Sequence, residues 1–551
     1  MSLSARPAAP PPSVFASRTR RGVWRPAAIG RGDLLVLLAL LALAAAPLEG
    51  LLLRVWTQGG IVTGASGFLV ADPLQYLGWL RQASEHGAIA NLYDLEPGPR
   101  SFVHPLLALS GALHALGVGV AAAYLVWAPA AALALFAGAH AFAGRFLARP
   151  GDRRAALVAA LFFASPIAAL VGRSGLGGYD AKLQMDFVSG ELWSGTYLWG
   201  YLFTAIAVGL MPLALLAYER GRAGGSRRAL GAAGAIGLLV AWLQPWQGVT
   251  VALILVAAEA LSLRHGRRPG AAARDLLWVL AAIAAPLAYY LALSRLDGSW
   301  ELAGTVNDLP RWPLWVTVAG LAPLALPAAL AYRLPAPAFG DVVLRLWPAA
   351  GLVVFWQPLG TFPFHAFQGL ALPLAVLALL AVRGRLGTRP LPTLATALAL
   401  GLLVVPGTLY RADELRGAVR AGHQPFFLEP GERDALRWIE ASPVRGGVLT
   451  AVYSGILIPA YTGRETWIGA GSWTPDFARR QALTERLFGG RASIGEVEGI
   501  VREAGPRFLY ADCHGRADIS RLVAGVVAGP ARRFGCARVW LVRDELVRGG
   551  L

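Results

Sequence analysis

Acidic side chains lie in two segments that each follow a long apolar run of the chain. Asp72 stands in G-F-L-V-A-D-P-L-Q-Y, after the apolar run 34–53. The second segment, L-G-G-Y-D-A-K-L-Q-M-D-F-V-S-G-E-L-W, carries Asp180, Asp186 and Glu191. A carboxylate can take a proton from a hydroxyl as a general base, or it can bind a hard cation. We therefore take these four acids as candidate catalytic residues.

Asp72 also has a structural interpretation, because aspartate followed by proline is a common way to begin a helix. Aspartate is favoured at the N-cap and proline at the first helical position, and the amphipathic run 74–83 follows. A helix N-terminus also stabilises a carboxylate, so that a capping aspartate can serve as a base or a metal ligand. The sequence leaves both interpretations of Asp72 open.

Other catalytic and cofactor motifs are absent from the sequence. The eight histidines are scattered, and there is no CxxC, HExxH or Gly-x-Ser-x-Gly pattern. Neither GxGxxG nor a P-loop occurs, so we expect no nucleotide cofactor. The two cysteines, Cys513 and Cys536, border predicted strands. They either form a disulfide or are buried separately as small apolar side chains.

The composition indicates a polytopic membrane protein. Of the 551 residues 56% are hydrophobic and 15% are charged, and the mean hydropathy is +0.52. The net charge of +17 comes largely from arginines in short links between apolar runs, which is typical of cytoplasmic loops. This distribution argues against nucleic acid as a partner and favours the lipid bilayer.

The apolar runs predict about eleven spans. They cover 34–53, 120–142, 155–171, 197–218, 230–243, 248–263, 276–293, 314–332, 346–356, 366–382 and 391–409. All arginine-rich links fall on the cytoplasmic side of the membrane only if the segment 104–117 does not cross the bilayer. We therefore interpret that segment as re-entrant or interfacial. Both acidic segments then lie outside the cell. So do two proline corners, 244–247 and 356–358, which either line a cavity or are turns with interfacial Trp anchors.

The predicted fold class is an α-helical polytopic membrane protein with a C-terminal extracytoplasmic α/β domain. Residues 1–32 form a disordered basic cytoplasmic tail, 33–409 the membrane domain and 410–551 the outer domain. In the outer domain, strands are predicted at 448–452, 507–512 and 537–543. They alternate with helices at 432–441, 475–488, after the capping box that begins at Ser493, and at 519–528.

Three segments carry a resemblance to a known family. They are Asp72 with Tyr76 followed by His-Pro-Leu-Leu from His104, the stretch F-P-F-H-A-F-Q-G-L-A-L-P-L from Phe362, and T-G-R-E-T-W-I-G-A-G-S-W-T-P-D-F-A-R-R from Thr462. In layout the chain resembles the GT-C superfamily of polyprenyl-phosphate-dependent glycosyltransferases. That superfamily includes bacterial protein O-mannosyltransferases, arabinosyltransferases and lipid A aminoarabinose transferases.

The resemblance implies a multi-pass enzyme of the bacterial plasma membrane, and the basic tail before the first span predicts that the N-terminus lies in the cytoplasm. It implies a polyprenyl-phosphate-linked sugar as donor and a glycan, glycolipid or protein as acceptor. Asp72 matches the first-loop acid, which acts as the base or as ligand of a divalent cation such as Mg²⁺ or Mn²⁺. Asp180, Asp186 and Glu191 are candidates for the second acid. Many members have two adjacent acids in the first loop, where this chain has Asp72-Pro73.

Sugar transfer from a lipid phosphate passes through an oxocarbenium-like state, so the site needs a base for the acceptor and a positive group for the leaving phosphate. The candidate substrate-binding residues are Tyr76, His104, Arg173, Lys182 and His365. Two alternatives stay open: a lipid or solute transporter, although no repeated halves are visible, and a non-catalytic scaffold or glycan-binding subunit.

Overall fold

The computed structural model describes residues 28–96, 98–308, 313–356, 362–387, 389–515 and 517–547. Most of the predicted N-terminal tail and the Gln357-Pro358 part of the second proline corner lie outside these residues.

The strands are β1 (Ile61–Val62), β2 (Phe427–Leu428), β3 (Val448–Leu449), β4 (Phe508–Ala511), β5 (Arg532–Phe534) and β6 (Ala537–Leu541). The helices are α1 (Arg31–Gln58), α2 (Ala71–His86), α3 (Pro105–Ala115), α4 (Val120–Leu125), α5 (Trp127–Phe146), α6 (Pro150–Leu161), α7 (Pro166–Ser174), α8 (Gly178–Leu192), α9 (Ser194–Leu198), α10 (Leu202–Gly224), α11 (Arg227–Leu243), α12 (Pro245–Arg264), α13 (Pro269–Leu296), α14 (Gly298–Val306), α15 (Leu314–Ala329), α16 (Phe339–Trp356), α17 (Ala371–Leu386), α18 (Thr393–Ala421), α19 (Pro430–Ala441), α20 (Val452–Gly455), α21 (Ile458–Thr462), α22 (Phe477–Phe488), α23 (Ile494–Ala504) and α24 (Ser520–Val523).

The predicted α-helical polytopic membrane fold is confirmed. Within the described ranges, ten helical segments are long and apolar enough to cross a bilayer. They are Arg31–Gln58, Val120–Phe146, Pro150–Ser174, Leu202–Gly224, Pro245–Arg264, Pro269–Leu296, Leu314–Arg333, Phe339–Trp356, Pro363–Leu386 and Thr393–Ala421. The remaining predicted span corresponds to α11, which has 17 residues and packs against α10 and α13.

The segment after the first loop forms a helix that is too short to cross a bilayer. His104 caps α3 through its ring nitrogen, which accepts a hydrogen bond from the backbone N–H of Leu107, and Pro105 occupies the first turn. At 11 residues α3 is about 16 Å long, well short of the hydrocarbon thickness of a bilayer. It packs against α2 instead.

The two ends of the helix bundle differ in chemistry. At one end, links between spans carry arginine–carboxylate pairs, including Arg145–Glu219 at 2.7 Å and Arg383–Asp152 at 2.6 Å. At the other end, α2 and α8 lie beside the first residues of α10 and α12 and the last residues of α13 and α16, and all of these line one cavity. The bundle therefore separates its basic links from its cavity.

The C-terminal part of the chain forms a four-stranded sheet of order β3-β4-β6-β5. Strands β3 and β4 are parallel and the other neighbours antiparallel. Leu449, Leu509 and Trp540 from the sheet pack against Val497 and Val501 of α23, forming a separate apolar core. Helix α23 begins with the predicted capping box, in which Ser493 and Glu496 bond each other's backbone N–H.

Three details of this region differ from the sequence-based expectations. The helix expected at 519–528 is the single turn of α24, and β5 is a strand that the sequence did not predict. Helix α18 runs through Tyr410 to Ala421, so the predicted boundary at 409/410 falls inside a helix. The structure joins Cys513 and Cys536 in a disulfide with a Cα–Cα distance of 5.0 Å.

A second, two-stranded sheet connects the first loop with the segment after α18. In it Ile61 pairs with Leu428 and Val62 with Phe427. The Thr63 hydroxyl donates to the carbonyl oxygen of Pro425 at 2.7 Å, and the backbone N–H of Val70 donates to Gln424 Oε1 at 3.3 Å. These contacts fix the start of α2 against the C-terminal part of the chain.

Candidate active site

A cavity of about 1310 Å³ occupies the end of the bundle that holds α2 and α8. Its wall includes five of the predicted site residues, namely Asp72, Tyr76, His104, Glu191 and His365. It also includes Gln244, Pro245 and Trp246, which shows that the first proline corner lines a cavity, the first of its two predicted interpretations. Parts of the C-terminal region, such as Tyr453 and Trp473, close the cavity from the other side.

Asp72 lies in the first turn of α2, with Val70 as the N-cap residue, so of the two open interpretations of Asp72 the structure does not bear out the N-cap. The helix begins earlier than the sequence suggested, because the backbone N–H of Asp72 already donates to the carbonyl oxygen of Leu69 at 3.3 Å. The freed carboxylate accepts a hydrogen bond from the Tyr201 hydroxyl at 2.6 Å. Sequence reasoning did not single out Tyr201, which lies in the loop before α10.

The surroundings of Asp72 favour a basic carboxylate. Desolvation inside the protein raises its pKa, and the negative charge of Glu191 raises the pKa further. The hydrogen bond from Tyr201 and the nearby His365 lower the pKa and partly offset these effects. A carboxylate whose pKa lies above its usual value is a stronger base for a hydroxyl proton.

Tyr76 lies one helical turn after Asp72, and it therefore borders the same cavity. Its ring contacts Trp79 and Tyr124, with centroid distances of 5.7 and 5.9 Å. Trp79 in turn packs edge-on against Trp473 at 5.3 Å, so aromatic rings continue from α2 to the C-terminal region. Such rings offer flat apolar faces to a ligand in the cavity.

Glu191 is the acid of the second segment that reaches the cavity. It is nearly buried at the end of α8, and Phe187, one turn earlier, lines the same wall. Its Oε2 atom accepts a hydrogen bond from Gln368 Nε2 at 2.7 Å and lies 3.2 Å from His365 Nδ1. Gln368 was not singled out from the sequence, although it belongs to the quoted F-P-F-H-A-F-Q stretch.

Four of the predicted site residues lie away from the cavity. Asp186 precedes Glu191 by five residues, which places it about 140° around α8. There it binds Lys182 Nζ at 2.8 Å, and the same Lys182 binds Glu414 of α18 at 2.8 Å. Arg173 pairs with Asp413 at 2.9 Å, and Asp180 is exposed. These contacts hold α7 and α8 against α18, and we leave the four residues out of the proposed site.

His104 borders the cavity but is already engaged as the cap of α3. Burial lowers the pKa of His104 to about 3, so the ring is neutral near pH 7. His365 keeps 21% of its side chain exposed, and its ring packs edge-on against Trp246 at a centroid distance of 4.9 Å. Of the two histidines, His365 is the better placed to contact a ligand.

The side chains do not fit a divalent cation held by the protein alone. Across the described ranges, no group of three or more His, Cys, Asp or Glu side chains is arranged to hold a metal ion. The Asp72 carboxylate is bonded to Tyr201, and Glu191 Oε2 is bonded to Gln368. We therefore assign no step to a metal ion.

No family model and no curated protein matches this chain. Solved structures do match it. The oligosaccharyltransferase of Archaeoglobus fulgidus in its apo form has a TM-score of 0.50 and 14% identity over 88% of this chain and 70% of that one. The same enzyme tethered to an acceptor peptide with the NVT sequon has a TM-score of 0.50 and 14% identity, and the match covers 94% of this chain and 74% of that one. ArnT from Cupriavidus metallidurans, in its apo state, has a TM-score of 0.48 and 13% identity, and the match covers 86% of this chain and 94% of that one.

At these identities the likeness concerns the arrangement of the chain in space, and it extends over both the spans and the C-terminal part. This agrees with the layout expected from the sequence. The chain therefore shares its overall fold with the A. fulgidus oligosaccharyltransferase.

Proposed function

We propose that this protein is a membrane glycosyltransferase. It transfers a sugar from a polyprenyl-phosphate-linked donor to a hydroxyl of a glycan, glycolipid or protein. The observation that carries the proposal is that one cavity holds the half-buried carboxylate of Asp72 and also opens through apolar side chains on the outside of the spans. A lipid-linked substrate needs both features.

The apolar opening lies between α13 and α16. Leu291 and Val353 line the cavity and yet are 60% and 56% exposed. On a spanning helix an exposed leucine or valine faces the lipid chains. Leu253 of α12 belongs to the same cavity wall. A polyprenyl chain can stay in the bilayer while its phosphate and sugar reach Asp72.

Asp72 acts as the general base in this proposal. It takes the proton of the acceptor hydroxyl while the bond from the sugar C1 atom to the phosphate oxygen breaks and the bond from C1 to the acceptor oxygen forms. The polyprenyl phosphate leaves with the electrons of the broken bond. Tyr201 holds the Asp72 carboxylate in place, and His365 faces the departing phosphate.

We also propose that the cavity faces the extracytoplasmic side. The arginine-rich links lie at the opposite end of the bundle, and such links are retained in the cytoplasm. The acceptor would then be a component of the cell envelope. The A. fulgidus enzyme, which has the same fold, was solved with an acceptor peptide, and this supports a protein among the acceptor classes.

The test compares a deletion strain with its parent. Loss of the protein should raise the amount of one polyprenyl-phosphate-linked sugar and remove one sugar from an envelope glycan, glycolipid or protein. Wild-type protein should restore both, whereas Asp72→Asn should restore neither, because loss of a general base lowers turnover by about 100-fold or more. Asp180→Asn is the matched control, since Asp180 is exposed outside the cavity. Full rescue by Asp72→Asn would move the assignment to a scaffold role.

A further inference from the structure

Three buried glutamines form a network behind His365. Gln247 Nε2 donates to the backbone carbonyl oxygen of His365 at 2.6 Å and to Gln368 Oε1 at 3.2 Å. Gln244 Nε2 donates to the same Gln368 Oε1 at 3.0 Å and to the hydroxyl of Thr204 at 3.2 Å. All three glutamine side chains are nearly inaccessible to solvent.

The network allows only one orientation of the Gln368 amide. A backbone carbonyl can only accept, so the atom of Gln247 that faces the carbonyl of His365 must be the amide nitrogen. The same nitrogen faces Gln368, which must therefore present its oxygen to Gln247. The Gln368 nitrogen is left on the opposite side, where it donates to Glu191 Oε2 at 2.7 Å and lies 2.9 Å from His365 Nδ1.

The orientation of Gln368 determines which nitrogen of His365 carries the proton. An amide N–H at 2.9 Å needs a lone pair on Nδ1, and a proton on Nδ1 would oppose it. Glu191 Oε2 could accept a proton from Nδ1, but it is farther away, at 3.2 Å, and already accepts from Gln368. The proton therefore belongs on Nε2, the ring nitrogen left for a ligand in the cavity.

We infer that His365 is a neutral Nε2–H donor for a singly charged phosphodiester, and that Gln368 and Gln247 are the positioning residues that keep it in this tautomer. The inference rests on the proposed function and defines the donor as a monoanionic lipid phosphodiester. The charges of the cavity agree with this class. Its described wall contains the carboxylates Asp72, Glu191 and Glu485 and no lysine or arginine, an environment unfavourable to the additional negative charge of a diphosphate.

The competing hypothesis is a charged imidazolium at His365. The carboxylates that face this ring are Glu191 of α8, with Oε2 at 3.2 Å from Nδ1, and Asp72 of α2, on the wall of the same cavity. The two hypotheses differ in their pH dependence. A neutral Nε2–H remains present at high pH, whereas an imidazolium loses its proton above the ordinary titration range of histidine.

Binding of the methyl ester of undecaprenyl phosphate distinguishes them, because this phosphodiester keeps one negative charge across the pH range. The purified full chain in lipid nanodiscs should bind it with an affinity that changes less than about threefold between about pH 6 and pH 9. His365→Ala should weaken binding by about 10- to 100-fold, the effect of a hydrogen bond to a charged group. His86→Ala, at the exposed end of α2, is the matched control.

Gln368→Glu tests the positioning role. A carboxylate beside Nδ1 draws the proton to that nitrogen, so Nε2 carries a proton only in the imidazolium. Binding by this variant should fall by about tenfold per pH unit above the titration of the histidine. If Gln368→Glu does not fold, ¹⁵N-histidine spectra of the wild type replace it as the test. The signal of His365 is identified as the one that is absent from the spectrum of His365→Ala, and it should show the Nε2–H tautomer.

The outcomes are separable. A wild-type affinity that already falls about tenfold per pH unit would overturn the neutral donor. So would wild-type affinity in His365→Ala. Absence of any binding by the wild type would overturn the proposed function together with the inference.

Discussion

Replacing Tyr201 with phenylalanine tests the proposed base without removing it. The Tyr201 hydroxyl donates to Asp72 Oδ2 at 2.6 Å, and this hydrogen bond lowers the pKa of Asp72 against the effect of burial. Without it, the pKa of Asp72 rises further. Since Asp72 acts as a base only when ionised, the acid limb of the pH–rate profile should move to higher pH in Tyr201→Phe.

The size of the effect follows from the kind of hydrogen bond. A neutral donor bonded to a charged acceptor contributes about 1.5 kcal/mol or somewhat more, and a difference of about 1.4 kcal/mol is tenfold in an equilibrium. On the acid limb, the fraction of protein with ionised Asp72 should therefore fall by about tenfold. At higher pH, where Asp72 is ionised in both proteins, turnover should approach that of the wild type.

The assay is release of polyprenyl phosphate from the lipid-linked sugar that accumulates in the deletion strain, measured against pH. Tyr218→Phe is the control, because it removes a tyrosine–carboxylate hydrogen bond of 3.0 Å, to Glu259 at the opposite end of the bundle. That variant should keep the wild-type profile. An unchanged acid limb in Tyr201→Phe would refute the role of Asp72 as the titrating base.

Three further predictions concern other parts of the chain. Lys182→Met should leave turnover within about threefold of wild type, because Lys182 pairs with carboxylates outside the cavity; a loss of about 100-fold would contradict this placement. Replacing Cys513 and Cys536 with serine should lower the unfolding free energy of the C-terminal region by about 3 kcal/mol, which chemical denaturation with and without reductant can measure. Reporter fusions after Arg149 should indicate cytoplasm and fusions after Gly298 the outside, and the reverse pattern would invert the proposed topology.

Much of the membrane fold could be predicted, because hydropathy and span length are local properties of the chain. The first-loop acid and the aromatic residue one turn later could also be singled out, because Asp72 and Tyr76 share a helix face. The choice among three acids of α8 could not be made. It depends on the rotation of α8 against its neighbours, which turns Glu191 into the cavity and Asp186 toward Lys182.

The partners of the site residues were beyond sequence reasoning, since they come from distant segments. Tyr201 reaches Asp72 across 129 positions and Gln368 reaches Glu191 across 177. The first proline corner gave a partial signal, because its polar groups needed either a cavity or an interface. The capping interpretation of Asp72 failed because α2 begins before the Asp-Pro pair, which left the carboxylate free for Tyr201.

The small sheet of β1 and β2 determines when the site can form. It holds the start of α2 through contacts between distant residues, such as Thr63 and Pro425, which are 362 positions apart. The ribosome produces the first loop long before its partner strand, so this loop must wait through the insertion of the later spans. A chain truncated before Phe427 keeps every candidate span yet lacks the strand that secures the first loop. Membrane insertion and assembly of the site are thus separate events, and the second depends on the last quarter of the chain.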